Sequence, residues 1–113
     1  MYQVGFDEGD KMIRHVVLFK LRRELGDSVA SEIFNALKAL KNEIPGIVAV
    51  SCGADVSPEG LQRGNTHAFT VDFTNAAARD AYLPHPAHQK VGGMIVASSE
   101  GGVEGVTVLD WEM

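Results

Sequence analysis

The feature that most constrains the fold is an early strand with apolar residues on both faces. From Ile13 to Leu21, every second residue is Ile, His, Val, Phe or Leu, and Val16 and Leu18 lie between them. Successive side chains of a strand point to opposite faces of a sheet, so both faces of this strand are apolar near its middle. We therefore predict that the strand belongs to a sheet that is covered on both sides.

The rest of the chain predicts an α+β domain in the order β-α-β-β-α-β. Asp27 or Ser28 is expected to cap a first helix, and Pro45-Gly46 is expected to end it. Pro86 suits the first turn of a later helix, because its missing N–H needs no partner there. The predicted elements are strands over residues 13–21, 47–56, 67–73 and 103–111, and helices over residues 27–44, from Thr74 or Asn75 to Tyr82, and over residues 86–98. Two split β-α-β units on one antiparallel sheet form a ferredoxin-like fold.

A ferredoxin-like subunit leaves one face of its sheet without helices. That face carries Val16 and Leu18, together with Val48 and Val50 or with the residues that alternate with them on that strand. An open apolar sheet face in a soluble protein usually marks an association surface. Two such faces packed against each other give a symmetric dimer, so we predict a homodimer.

Composition narrows the classes of protein and of partner. The chain has 113 residues, enough for one domain with one core. No apolar run approaches the roughly 20 residues that span a bilayer, and no secretion signal opens the chain, so we expect no membrane partner. Cys52 is the single cysteine, which excludes an internal disulfide and favours a cytoplasmic location. The net charge of −5 disfavours a nucleic acid as partner.

Residues 1 to 11 are interpreted as an N-terminal extension to a domain at residues 12 to 113. Tyr2, Val4 and Phe6 alternate with other residues, which favours a short extra strand, and residues 7 to 10 are typical of a turn. The alternative is a disordered leader, with Met12 resembling a natural start. Both interpretations stay open at this point.

Four segments together carry a family resemblance. They are Ile13-Arg14-His15-Val16-Val17-Leu18-Phe19-Lys20-Leu21, Ile44-Pro45-Gly46-Ile47, Thr66-His67-Ala68-Phe69 and Tyr82-Leu83-Pro84-His85-Pro86-Ala87-His88. In order and spacing they resemble the stress-responsive dimeric α/β-barrel (Dabb) family over about residues 12 to 112, and the last is similar to the family's Tyr-x-x-His-Pro-x-His signature. The resemblance implies a ferredoxin-like subunit and a dimer whose two sheets form a barrel.

The resemblance does not imply one activity. Many family members are known only as stress-associated or uncharacterised proteins. One plant branch closes polyketides by an aldol-type condensation in a pocket between the sheet and the helices. That branch uses the Tyr and the second His of the signature, which correspond here to Tyr82 and His88.

The histidines suggest one pocket on the helix-covered side of the sheet. His15 and His67 each lead an apolar strand face, while His85 and His88 flank the start of the last helix. The positive end of a helix dipole disfavours an imidazolium, so His88 is expected to stay neutral and to act as a general base. Tyr82 would donate a hydrogen bond to a developing enolate or carbonyl oxygen. The predicted pocket residues are His15, Val17, His67, Phe69, His85 and Val91.

Structural interpretations of the same residues stay open. His85 would simply cap the helix that begins at Pro86, and His15 and His67 would be core histidines with satisfied hydrogen bonds. A metal shared by His85 and His88 is a further reading, but Pro86 interrupts the helix between them and no carboxylate keeps a fixed spacing with them. We predict no metal and no cofactor.

Three functional hypotheses follow. The first is a small-molecule-binding protein of undefined activity, with a small apolar or aromatic ligand in a His-lined pocket. The second is an enzyme of cyclase or lyase type, with His88 as the base and Tyr82 as the hydrogen-bond donor. The third is a structural or interaction dimer without chemistry.

Overall fold

The computed structural model describes residues 11–113, and the predicted extra strand or leader lies, apart from Lys11, outside the described residues. The strands are β1 (Ile13–Phe19), β2 (Ile47–Ala54), β3 (His67–Phe73) and β4 (Val106–Glu112), and the α-helices are α1 (Asp27–Ala39), α2 (Ala76–Tyr82) and α3 (Pro86–Ser98). Two short 3-10 helices lie at Leu40–Asn42 and Gly102–Gly105. The strands form one sheet in the order β2-β3-β1-β4, and every neighbouring pair is antiparallel. The predicted ferredoxin-like α+β fold is confirmed.

The core lies between one face of the sheet and the helices. Every second residue of β1 is buried, and the register pairs these residues with alternate residues of β3. Ile33 and Leu37 of α1 and Val91 and Ile95 of α3 are buried against this face. Each such side chain stabilises the fold by about 1.5–3 kcal/mol when it leaves water. Among residues 11–113, no helix is both long enough and apolar enough to cross a membrane.

The first helix differs from its prediction at both ends. Gly26 is the residue before the helix and no side chain caps it, so the predicted cap by Asp27 or Ser28 is wrong. Asp27 instead occupies the first turn, where the interaction of its negative charge with the helix dipole stabilises the helix by about 0.3–1 kcal/mol. The helix ends at Ala39, and a 3-10 turn covers the remaining residues of the predicted helical pattern up to Asn42.

A bulge in β2 decides which residues of that strand face the helices. Ile47 pairs with Phe73, but Ala49 pairs with Asp72, so the register shifts by one residue at Val48. Val50 therefore lies on the helix side and packs against the core. Neither alternative predicted for this strand is wholly right. Ala49 and Ser51 lie on the other face, where they pair with Asp72 and Thr70, whereas Ile47, like Val50, lies on the helix side.

The second face of the sheet, which we call the open face, carries no helix from residues 11–113. The even-numbered residues of β1 lie on it, and the register places Leu109 beside Val16 and Trp111 beside Arg14. Leu109 is 62% exposed and Trp111 is 46% exposed. Arg14 donates two hydrogen bonds to the Asp72 carboxylate, with Nε–Oδ1 and Nη2–Oδ2 distances of 2.8 and 2.9 Å. The open face thus combines exposed apolar side chains with the ion pair between Arg14 and Asp72.

Candidate functional site

A cavity of about 190 Å³ lies between the helix side of the sheet and α3. Its wall is apolar except for two imidazoles, those of His15 and His88. Strands β1, β3 and β4 form the floor and α3 forms the opposite side. The lining residues are His15, Val17, Phe69, Leu83, His88, Gly92, Ile95, Val96, Val106 and Val108.

His88 is held in one tautomer at this cavity. Its Nδ1 lies 2.9 Å from the Leu83 carbonyl oxygen. A carbonyl only accepts hydrogen bonds, so Nδ1 carries the hydrogen and Nε2 keeps the lone pair. A Cβ built on Gly92 would lie 3.9 Å from Nε2, which places Nε2 next to the glycine surface that lines the cavity.

The surroundings keep His88 neutral. Burial lowers the pKa of His88 below its ordinary value, and the positive charges that His15 and His85 can take lower it further. The hydrogen bond to Leu83 acts in the opposite direction but is the smaller effect. A neutral imidazole with a free Nε2 on an apolar wall has the properties of a general base.

Tyr82 lies directly behind His88. It is fully buried, its ring centroid is 4.1 Å from that of His88, and it also packs edge-on against Phe73 at 4.8 Å. Its hydroxyl has no hydrogen-bond partner among the described residues, and burial raises the pKa of Tyr82. Tyr82 is not among the residues that line the cavity. The structure therefore gives it a packing role at His88 and leaves one O–H donor without an acceptor.

His15 is also held in a fixed orientation, by residues that the sequence analysis missed. Its Nδ1 lies 2.8 Å from Asp110 Oδ1, and Arg79 Nη1 lies 2.7 Å from Asp110 Oδ2. The carboxylate accepts, so Nδ1 of His15 carries a hydrogen. Pairing of β1 with β4 sets His15 opposite Asp110. Asp110 could have been found from the sequence, because it continues the alternation of Val106 and Val108 on one face of the last strand and places an acidic residue there.

The sequence suggested that the four histidines share one pocket. In the structure they do not. His67 pairs with Phe19, four residues from the position of His15 along β1, which separates them by about 13 Å. The His67 ring stacks on Phe19 at 5.6 Å between centroids and is absent from the cavity wall. Val91 does not line this cavity either, because it is buried in the core.

His85 has the structural role that was the alternative to a place in the pocket. It precedes α3, and its Nδ1 accepts a hydrogen bond from the backbone N–H of Ala87 at 3.1 Å. The interaction satisfies one of the free N–H groups at the start of the helix. Within the described part of the chain, no group of three or more His, Cys, Asp or Glu side chains is arranged to hold a metal ion.

A larger cavity of about 380 Å³ lies at the end of β2 and β3, beside the loop at residues 55–66. Its wall includes Leu18, Ser51 and Thr70 of the open face, the surface on which we predict a second subunit. The predicted pocket residues His67 and Phe69 also line it, whereas His88 and Tyr82 do not. Volume alone favours this cavity, but the smaller one is lined by both His15 and His88, and we take the smaller one as the candidate site.

The chain is similar to known proteins over most of its length. Residues 13–113 match the Stress responsive A/B Barrel Domain (Dabb) model. Olivetolic acid cyclase from Cannabis sativa is 30% identical over 76 residues, which are 67% of this chain and 75% of the cyclase. The stress-response A/B barrel domain-containing protein HS1 from Arabidopsis thaliana is 28% identical over 106 residues, which are 94% of both chains.

The fold is shared with solved structures. A dimeric ferredoxin-like protein of unknown function from Jannaschia sp. CCS1 is 34% identical, with a TM-score of 0.77 over 90% of this chain and 99% of that one. Hydroxynitrile lyase from Passiflora edulis is 21% identical, with a TM-score of 0.81 over 92% of this chain and 94% of the lyase, and it shows the fold alone. From the family match over nearly its whole length, this chain belongs to the stress-responsive A/B barrel domain (Dabb) family.

Proposed function

We propose that this chain binds a small apolar or aromatic carbonyl compound in the cavity on His15 and His88, and that His88 removes a proton from the carbon next to the carbonyl. The observation that carries the proposal is the orientation and hydrogen bonding of the His88 ring. Its Nδ1 is occupied by the Leu83 carbonyl, and its Nε2 lies next to Gly92 on the cavity wall. Among the described residues of that wall, the other imidazole is that of His15.

The size and chemistry of the cavity set the class of ligand. A closed apolar cavity of about 150 Å³ in another protein takes up benzene, so about 190 Å³ suits a molecule built on one ring. Val17, Phe69 and Ile95 supply apolar contact for such a ring. The two imidazoles are the polar groups that would orient a carbonyl compound within this wall.

We propose that Tyr82, although it lies behind the cavity wall, donates a hydrogen bond to an oxygen of a ligand that reaches past His88. A buried hydroxyl that makes no hydrogen bond costs about 1–3 kcal/mol, and a ligand oxygen that reached Tyr82 would recover this energy. Proton removal by His88 with the oxygen held by Tyr82 would produce an enolate. An enolate that attacks a second carbonyl closes a ring, which accords with the name of the relative olivetolic acid cyclase.

We further propose that the protein works as a homodimer in the cytoplasm. Structural relatives described as dimeric ferredoxin-like proteins support the dimer, as do the exposed apolar residues of the open face. The lone Cys52 accords with a reducing compartment.

Acetophenone provides a direct test, because it joins one aromatic ring to a carbonyl with exchangeable methyl protons. We expect acetophenone to shift the NMR signals of His15, His88 and Val108, and we expect the protein to accelerate methyl proton exchange in D₂O above the buffer rate. Toluene, which has the ring but no carbonyl, should shift the same signals without exchange. Absence of any shift would refute the ligand site, and binding without accelerated exchange would refute the base role of His88.

Two adjacent glycines of α3 allow a matched test of the cavity. Gly92→Ala and Gly93→Ala should each raise the free energy of unfolding by about 1 kcal/mol in urea denaturation, because Ala favours a helix more than Gly. The new methyl at Gly92 would lie 3.9 Å from His88 Nε2, whereas nothing lies within 4 Å of a Cβ at Gly93. Gly92→Ala should therefore weaken acetophenone binding, and Gly93→Ala should leave it unchanged. Equal affinities in the two variants would place the ligand elsewhere.

A further inference from the structure

We infer that Arg79 is a positioning residue that fixes Asp110, and through it the ring of His15, at the cavity, and that its charge disfavours an imidazolium at His15. The inference rests on the proposed function only in treating this cavity as the ligand site. Arg79, Asp110 and His15 form one chain of hydrogen bonds, with distances of 2.7 and 2.8 Å. Each oxygen of the Asp110 carboxylate has its own partner, so the carboxylate is fixed in orientation and the His15 ring is fixed with it.

The charges explain why Arg79 matters to His15. A carboxylate that faced His15 alone would stabilise the imidazolium, and the proton would then occupy Nε2 as well as Nδ1. With the Arg79 guanidinium on its other oxygen, the Asp110 carboxylate has a cation beside it and stabilises an imidazolium less. The guanidinium is also repelled by an imidazolium at His15. Both effects disfavour an imidazolium at His15.

The other groups that face His15 do not replace Arg79. Tyr82 of α2 packs edge-on at 5.9 Å between ring centroids, and burial keeps its hydroxyl protonated. His88 of α3 shares the cavity and is kept neutral by burial. Asp80 accepts a hydrogen bond from Arg79 Nε at 2.8 Å and is mostly exposed. Among the described residues, Arg79 is the one permanent cation shown in contact with Asp110.

Helix α2 therefore supports both imidazoles of the cavity. Tyr82 packs on the His88 ring, and Arg79, three residues earlier on the same helix face, holds the carboxylate that binds His15. A fully exposed ion pair would contribute almost nothing to the stability of this arrangement. Here the side chains of Arg79 and Asp110 are only 24% and 20% exposed, and the third member, His15, is buried.

The test is the charge state of His15, read from the ring ¹⁵N signals of histidine-labelled, ligand-free protein at pH 7. Arg79→Met removes the charge and keeps an apolar stem of similar length. Charges roughly 7 Å apart interact strongly enough to raise the imidazolium-to-imidazole ratio of His15 by about three-fold with water-like screening and by about fifty-fold with the screening of a protein surface. Arg79→Lys keeps the charge and should restore most of the wild-type ratio.

Two controls define the outcome. Asp80→Asn removes the mostly exposed carboxylate on Arg79 Nε and should lower the ratio much less than Asp110→Ala, which removes the carboxylate in contact with His15. An unchanged ratio in Arg79→Met, or in Arg79→Gln if the first variant does not fold, would overturn the inference. These spectra are recorded without ligand. Failure of acetophenone to bind would therefore refute the proposed function without affecting the test of Arg79.

Discussion

His88→Asn should lower the protein-catalysed exchange of acetophenone methyl protons by about 100-fold or more, the usual contribution of a general base. The Asn amide N–H takes the place of Nδ1 and can still donate to the Leu83 carbonyl. It offers no base at the place of Nε2. The variant therefore removes the proposed chemistry while keeping the hydrogen bond that holds the residue, and NMR of the acetophenone methyl signal in D₂O measures the effect.

The pH dependence should identify His88 as the base. Burial lowers the pKa of His88, so the neutral, active form persists below pH 6.5, the ordinary histidine value. The exchange rate should be constant above pH 6.5 and should fall only at lower pH. His88→Asn should have no such step. Because the unfolded chain binds this proton more readily than the folded one, stability should also fall as pH drops below 6.5, and less so in the variant.

Gln89→Ala is the matched control for His88→Asn. Gln89 Nε2 donates to the same Leu83 carbonyl at 3.0 Å, but the residue is exposed and does not line the cavity. Its loss should leave proton exchange near the wild-type rate. If His88→Asn exchanged protons as fast as the wild type does, the base would have to be another group, and His15 would be the first to test.

Local signals in the sequence accounted for most of the elements. The alternation in β1 and β3 and the Pro86 helix start depend on neighbouring residues only, and the structure places β3 and α3 at the predicted residues. The cap at Asn75 is also local, and its side chain accepts a hydrogen bond from Ala78 N–H at 2.9 Å. Features of this kind require no knowledge of which strands pair.

Features that depend on strand pairing were missed or misplaced. The bulge at Val48 reverses the facing of Val50, and nothing in the residues around it marks the shift. His67 has the alternation expected of a pocket residue, but its register with Phe19 separates it from His15. Asp110 and Arg79 are 31 residues apart and meet at His15 only because β4 pairs with β1 and α2 packs beside them.

Val16→Glu should raise the dimer dissociation constant by at least a thousand-fold, since one unpaired buried charge alone costs about 4 kcal/mol. Val16 lies at the middle of the open face, paired with Thr70 on one side and Leu109 on the other. A two-fold symmetric interface would receive two such charges. The nearest cation along β1, Arg14, is already engaged by both oxygens of Asp72 and would not neutralise them.

Sedimentation velocity over a range of concentrations measures this constant, with Val16→Thr as the control because it adds a polar hydroxyl of the same size and strand preference without a charge. The threonine variant should remain a dimer, and the glutamate variant should sediment as a monomer or aggregate. The ring-current shifts of Tyr82 and His88 provide a check that each monomer stays folded, since these residues lie on the opposite side of the sheet. A glutamate variant that dimerised like the wild type would move the interface away from the open face. The large cavity beside residues 55–66 would then be free for a ligand, and the choice between the two cavities would have to be made again.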